Sequence, residues 1–287
     1  MSAALWVRTL KADDLAFADS LRALAGWNQT LADWKRFLAL DPAGCFLAEW
    51  NGTRAGTATT TVYGPQLAWI GMVLVHPDHR RCGIGRALLE RCIGYLRERG
   101  VRGIKLDATP AGKKVYDGLG FRDEWTLTRW QRVESPSRSV SSVAGIKSWH
   151  EADLVEIDRL DAGAFGVSRR ELMGQLVEQS RCALVLETEK GQVAACGLLR
   201  GGAEALYLGP ISGASANAGL RLVEELLNSS HGSKVIWDIP DDNAAAVAWA
   251  KQEGFTEQRT LTRMYLGENR APGDPRMQFA IGGPELG

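Results

Sequence analysis

The chain repeats itself, and that repeat constrains its fold more than any other feature. Glu124-Trp-Thr-Leu-Thr-Arg-Trp130 matches Gln258-Arg-Thr-Leu-Thr-Arg-Met264, 134 residues further on. A Gly-Phe pair precedes each copy at the same offset, Gly120-Phe121 and Gly254-Phe255. Earlier, Ala12-Asp13-Asp14-Leu15 pairs with Glu151-Ala152-Asp153-Leu154, and Ile70-Gly71 with Leu208-Gly209. The order is kept while the offset drifts slowly, as expected of one duplicated unit. A chain of 287 residues has room for two such domains. The Ser-rich run Glu134–Val143 lacks helical or strand periodicity and reads as the connection. We therefore expect domains over 1–134 and 145–287, joined by a linker over 135–144.

Each repeat reads as mixed α/β (α+β). Asp13 or Asp14 can cap a first helix carrying Leu15, Leu21 and Leu24, and Thr30 a second with Trp34, Phe37 and Leu38 inward. Strand-like runs follow over 44–50 and 53–63, turned at Asn51-Gly52, and again over 67–75. Leu88, Cys92 and Leu96 recur every four residues in a helix over 86–99. A strand over 103–106, a helix over 111–119 and a strand over 125–133 complete the unit. The second repeat follows the same order, with a capping box expected at Ser168-Arg-Arg-Glu171 and a last short strand over 277–281.

The segment Val75-His-Pro-Asp-His-Arg-Arg-Cys-Gly-Ile-Gly-Arg86 runs from a strand through a glycine loop into a helix. A helix start presents N–H groups without intrahelical partners, and its dipole favours negative charge. Gly83 and Gly85 let a phosphate approach the main chain, and Arg80, Arg81 and Arg86 surround it with positive charge. The spacing is neither a dinucleotide fingerprint nor a Walker loop, because no GxGxxG follows a strand and no Lys-Ser/Thr follows the glycines.

Arg80-x-x-Gly83-x-Gly85, the preceding Val75-His76-Pro77 and the later Tyr116-Asp-Gly-Leu-Gly-Phe121 resemble the GCN5-related N-acetyltransferase (GNAT) family. The resemblance covers most of residues 1–133. It implies two tandem GNAT-like domains, each a mixed, mostly antiparallel sheet flanked by helices, with acetyl-coenzyme A entering between two splayed central strands. By the same resemblance the pyrophosphate would lie on the amides of Arg81, Cys82, Gly83, Ile84, Gly85 and Arg86, with Arg80 beside it. The pantetheine would lie along Leu74 and Val75. Tyr116 would protonate the departing sulfur, and Thr109 stands where the family often has an Asn touching the cofactor.

Acetyl transfer needs a neutral amine. A lysine-like amine has a pKa of about 10.4, so near pH 7 roughly one in 2,500 is neutral. A base is therefore required. The family often places a Glu on the strand before Val-x-Pro, but residues 67–75 contain no carboxylate. Asp107 is the nearest alternative by element, and a water held by backbone carbonyls is another. His76 and His79 read as turn residues. Trp6, Trp27, Trp34 and Trp69 are candidates for an apolar acceptor pocket or for core. Trp27-Asn28 lies between the first two helices, where the family's acceptor loop lies; with Trp69 it makes the expected substrate contacts.

The second repeat departs from this pattern. Tyr207-Leu-Gly-Pro-Ile-Ser-Gly-Ala-Ser-Ala-Asn-Ala-Gly-Leu220 has no Arg-x-x-Gly-x-Gly, and Ala250 stands where Tyr116 stands in the first. Asn243 keeps the family's Asn position. The expectation is a GNAT-like fold without acetyl-coenzyme A catalysis.

Lys and Arg total 34, as do Asp and Glu, which argues against a nucleic-acid partner and against docking of a histone-like tail. Five scattered cysteines and four scattered histidines give no metal-ligand spacing and no disulfide framework. No apolar stretch approaches membrane-spanning length and no leader pattern opens the sequence. Taken with the family resemblance, these features lead us to expect a cytoplasmic, metal-free N-acetyltransferase, monomeric or homodimeric, that uses acetyl-coenzyme A on the amine of a small molecule in its N-terminal domain. The alternatives are a mycothiol-synthase-like tandem enzyme and a non-catalytic acyl-coenzyme A sensor.

Overall fold

A computed structural model describes residues 4–134 and 144–287, so the expected linker lies almost wholly outside the described residues. The chain forms two compact units. The first contains residues up to Asp123 together with Met264–Arg270 and Pro284–Leu286. The second contains Glu124–Arg263, Ala271–Gly283 and Gly287. The division thus falls before the strand at 125–133 rather than after it.

In the first unit the elements are β1 (Leu5–Thr9), α1 (Leu15–Leu24), α2 (Leu31–Leu40), β2 (Cys45–Trp50), β3 (Thr53–Val62), β4 (Ala68–Val75), α3 (Ile84–Glu98), β5 (Gly103–Ala108) and α4 (Pro110–Asp117). Local chemistry explains the boundaries. Thr30 and Asp33 form the capping box that starts α2. Asn51 and Gly52 both take positive φ, 51° and 79°, as the tight hairpin between β2 and β3 requires. The side chains of Leu88, Cys92 and Leu96 on α3 pack with Phe46, Ile70, Ile84 and Phe121 in the core, as their spacing predicts.

The strands lie in the order β1-β2-β3-β4-β5. All neighbours are antiparallel except β4 and β5, which are parallel. Two features of β4 shape the site. Its pairing with β5 is confined to Ala68↔Ile104 and Trp69↔Lys105, so the strands part beyond Trp69. Between Thr59↔Gly71 and Thr57↔Leu74, Met72 and Val73 oppose the single residue Ala58. Met72 takes φ +50° at this bulge, and the Thr57 hydroxyl donates to its carbonyl at 3.0 Å.

The second unit is built from β6 (Arg122–Arg132), β7 (Ile146–Ser148), α5 (Leu154–Phe165), α6 (Arg170–Glu178), β8 (Ser180–Glu187), β9 (Val193–Arg200), β10 (Leu206–Gly213), α7 (Ala216–Asn228), β11 (Val235–Pro240), α8 (Ala244–Gln252), β12 (Thr256–Gly267) and β13 (Gln278–Ala280), except that β6 up to Asp123 and β12 from Met264 onward belong to the first unit. Its strands run β6-β11-β10-β9-β8-β7, with β10 and β11 parallel and β13 paired to β10. The repeat assigns β6 to the first sheet and β12 to the second. Instead β6 pairs antiparallel with β11, while the amide of Glu268, just past β12, donates to Arg102 O at 3.0 Å in the first unit. Met264 of β12 belongs to the first unit's core. Each unit is therefore completed by the final strand of the other repeat.

One cap differs from expectation. Helix α6 begins after Arg169, and the Ser168 hydroxyl donates to Asp158 at 2.7 Å instead of capping it. Arg169 is occupied by a buried pair with Asp161, and that anchorage fixes where the helix starts.

Candidate active site

The start of α3 has the features expected of an anion cradle. Its N-cap is Gly83 at φ +81°, so no side chain caps the first turn. Arg81 also takes positive φ, 64°, which turns the loop sharply into the helix. A Cβ on Gly83 would meet nothing within 4 Å, and one on Gly85 would touch only Val75 at 3.7 Å. The approach to these amides is open. Arg80, Arg81, Cys82, Gly83 and Arg86 are exposed, while Ile84 is buried and anchors the turn. Arg86 pairs with Glu90 one turn along, at 2.8 Å. Leu74 and Val75 end the strand that leads into this loop, on the side where β4 and β5 part. These groups suit a diphosphate followed by an extended amide arm, which is the chemistry of coenzyme A.

Tyr116 stands on α4, with its ring over Gly112 and edge-on to Phe121 at 6.0 Å. Burial, with a smaller contribution from Cys92, pushes its hydroxyl up to about 12, so it stays protonated at neutral pH. Thr109 is the N-cap of α4 and accepts from Gly112 N at 3.2 Å. Asp107 lies half-buried on β5. His76 caps the short turn at Pro77–His79, as a turn residue should.

Trp27 is half-buried and Asn28 buried in the loop between α1 and α2. Trp34 and Trp69 are fully buried, and Trp6 on β1 is 66 % exposed. Trp69 does not face an open pocket: its indole N–H donates to Pro284 O at 2.9 Å. Sequence reasoning attached no role to residues 284–286, yet they lie against β4 in the first unit.

The corresponding cleft of the second unit is filled by the chain itself. Strands β10 and β11 pair over Leu206–Leu208 and Val235–Trp237. Past that point β13 pairs with β10. The Trp237 indole donates to Phe279 O at 2.7 Å, and Ile281 N to Asp238 O at 3.1 Å. Asn243 donates to Arg276 O and Gln278 O at 3.0 and 3.1 Å. The ring of Phe279 covers Gly213 and Gly219, at the end of β10 and in the first turns of α7. That helix is capped by its own Ser215, which accepts from Ala218 N. Ala250 is fully buried in the core.

Among the described residues, no group of three or more His, Cys, Asp or Glu is arranged to hold a metal ion, and no helix is long and apolar enough to cross a membrane.

Comparison with known proteins agrees with this architecture. The model of the acetyltransferase (GNAT) family matches residues 13–121, and that of an acetyltransferase (GNAT) domain matches residues 157–280. An uncharacterized N-acetyltransferase, YitH, of Bacillus subtilis is 27 % identical over 180 residues, 63 % of each chain. A mycothiol acetyltransferase of Thermobispora bispora is 38 % identical over 125 residues, 39 % of this chain and 41 % of that one. The chain thus spans less than two thirds of the length of either relative. A putative acetyltransferase from Pyrococcus horikoshii superposes with a TM-score of 0.82 at 22 % identity, over 99 % of this chain and 96 % of that one.

Proposed function

We propose, for a chain that belongs to the GNAT acetyltransferase family and carries two of its domains in tandem, that the first unit alone transfers an acetyl group from acetyl-coenzyme A to the amine of a small molecule. The observation that carries this reading is the contrast between the two helix starts. That of α3 is open, uncapped and flanked by Arg80, Arg81 and Arg86; that of α7 is capped by Ser215 and covered by Phe279.

Coenzyme A, when bound, supplies the acetyl group as an activated thioester. The amides of Ile84, Gly85 and Arg86 and the guanidinium groups around them hold the diphosphate. Main-chain groups of Leu74 and Val75 pair with the pantetheine arm. Tyr116 keeps its proton over the neutral range and holds it for the departing sulfur. The backbone of β4 from the Met72 bulge onward borders the gap between β4 and β5, where charge would develop on the carbonyl oxygen.

The balanced charge of the chain favours a small acceptor over a basic tail. The mycothiol acetyltransferase among the relatives supports a small-molecule acceptor. Titration calorimetry with coenzyme A, together with thiol release from acetyl-coenzyme A over a panel of amines, tests the reading. One site per chain and release dependent on an amine are expected. Binding without any amine-dependent release indicates a sensor and overturns it.

A further inference from the structure

Strand β4 carries no carboxylate, but a glutamate from far along the chain lies against it. Residues 284–286 belong to the first unit. Trp69 on β4 donates to Pro284 O at 2.9 Å, and the Tyr63 hydroxyl donates to Leu286 O at 2.7 Å. The backbone of Glu285 is thus pinned on both sides. It crosses β4 at Gly71, directly before the bulged Met72. A Cβ on Gly71 would stand 2.6 Å from Glu285 O, 2.9 Å from its Cα and 3.0 Å from its Cβ. The side chain is oriented from the acceptor loop: Gln29 Nε2, two residues past Trp27, donates to Glu285 Oε2 at 2.6 Å.

The face around it is buried and carries hydroxyl groups. Thr59 pairs with Gly71 and Thr61 with Trp69 across β3 and β4, so both hydroxyls share the face on which Glu285 lies. Thr59 Oγ1, Thr61 Oγ1 and Gln29 Oε1 are buried without a hydrogen-bond partner among the described residues. Burying such groups unsatisfied is unfavourable, so a bound molecule that pairs with them gains what folding forgoes.

We propose that Glu285 is the acid–base residue of the acceptor site, with Gln29 positioning it, and that this segment replaces the carboxylate absent from β4. The inference rests on the reading that the first unit is the catalytic one. Glu285 takes one proton from the acceptor's ammonium. The lone pair so released forms the N–C bond as the C–S bond breaks. The nitrogen's remaining surplus proton ends on the departing sulfur, and Glu285 returns its own to water.

The test compares the full-length wild type, Glu285→Gln, Gln29→Ala and Asp107→Asn. The acceptors are the panel amine with the highest turnover, ethylamine, and trifluoroethylamine, which is already largely neutral near pH 7. Glu285→Gln is expected to lower kcat/KM for the basic amines about 100-fold, the range for a positioned base, and for trifluoroethylamine less than about 5-fold. Coenzyme A affinity is expected to stay within about 2-fold, and Gln29→Ala to show a smaller loss of the same pattern. Equal losses with both amine classes would mean a packing role and overturn the proposal, as would a loss confined to Asp107→Asn. A wild type that binds coenzyme A but acetylates no amine overturns the parent reading, and this inference falls with it.

Discussion

Phe279 lies so close to Gly219 that a β-carbon added to the glycine would come within 2.3 Å of its ring. The contact closes the second unit where the first is open. Gly219→Ala forces the ring or the helix to move, and we expect a loss of about 1–3 kcal/mol, read as a lower urea midpoint. Phe279→Ala leaves a cavity and should cost about 3–5 kcal/mol. Neither variant should create a second coenzyme A site, because α7 still lacks arginines. Calorimetry reporting two sites per chain would contradict this.

Tyr116→Phe removes the hydroxyl but keeps the ring against Phe121 and Gly112. Turnover should fall about 100-fold or more while coenzyme A affinity changes by less than about 2-fold. The raised pKa of about 12 carries a sign. The donor form is the protonated one, so Tyr116 should cause no alkaline fall in wild-type turnover below about pH 10. Stopped-flow thiol release across pH checks both statements.

Cys82 is exposed within the cradle loop, whereas Cys45, Cys92 and Cys196 are buried. A maleimide should label Cys82 first, and coenzyme A should slow that labelling. The Arg80→Ala, Arg86→Ala pair should weaken coenzyme A binding at least about 10-fold, with a shallower dependence on salt. Binding by the double variant equal to wild type would exclude the loop as the diphosphate site.

Burial pushes the Cys45 thiol up from 9.0 to about 12, and raises Cys92 and Cys196 as well. The unfolded chain releases these protons near pH 9 while the native chain still holds them. Their contribution is complete below pH 9 and is lost as pH rises toward the folded values. Urea midpoints should therefore decline between about pH 8.5 and 10.5, and Cys45→Ala with Cys92→Ala should flatten the decline.

What could be read from the sequence was local. The cradle is one unbroken strand, loop and helix, and Tyr116 stands five residues before Phe121, so the family resemblance could point to both from short local stretches. Thr30 and Asn51-Gly52 likewise announced their cap and hairpin. Contacts between distant segments could not be read in this way. The repeated Thr-Leu-Thr-Arg segments on β6 and β12 are so alike that nothing in them says which sheet each joins. The run Gly282-Gly-Pro-Glu-Leu-Gly287 has the composition of a loose loop, yet Trp69 and Tyr63 hold it against β4. Ser168 and Glu171 had the right spacing for a cap, but the buried Arg169–Asp161 pair set the start of the helix.

Each compact unit borrows its finishing strand from the opposite repeat, and this forbids a convenient dissection. A gene severed at the Ser-rich run would yield a front fragment with β5 missing its outer neighbour and β4 stripped of its distant glutamate. The rear fragment would begin without β6, the partner of β11. Neither piece carries a complete set of ladder hydrogen bonds, so the halves should recover solubility and turnover only when supplied together.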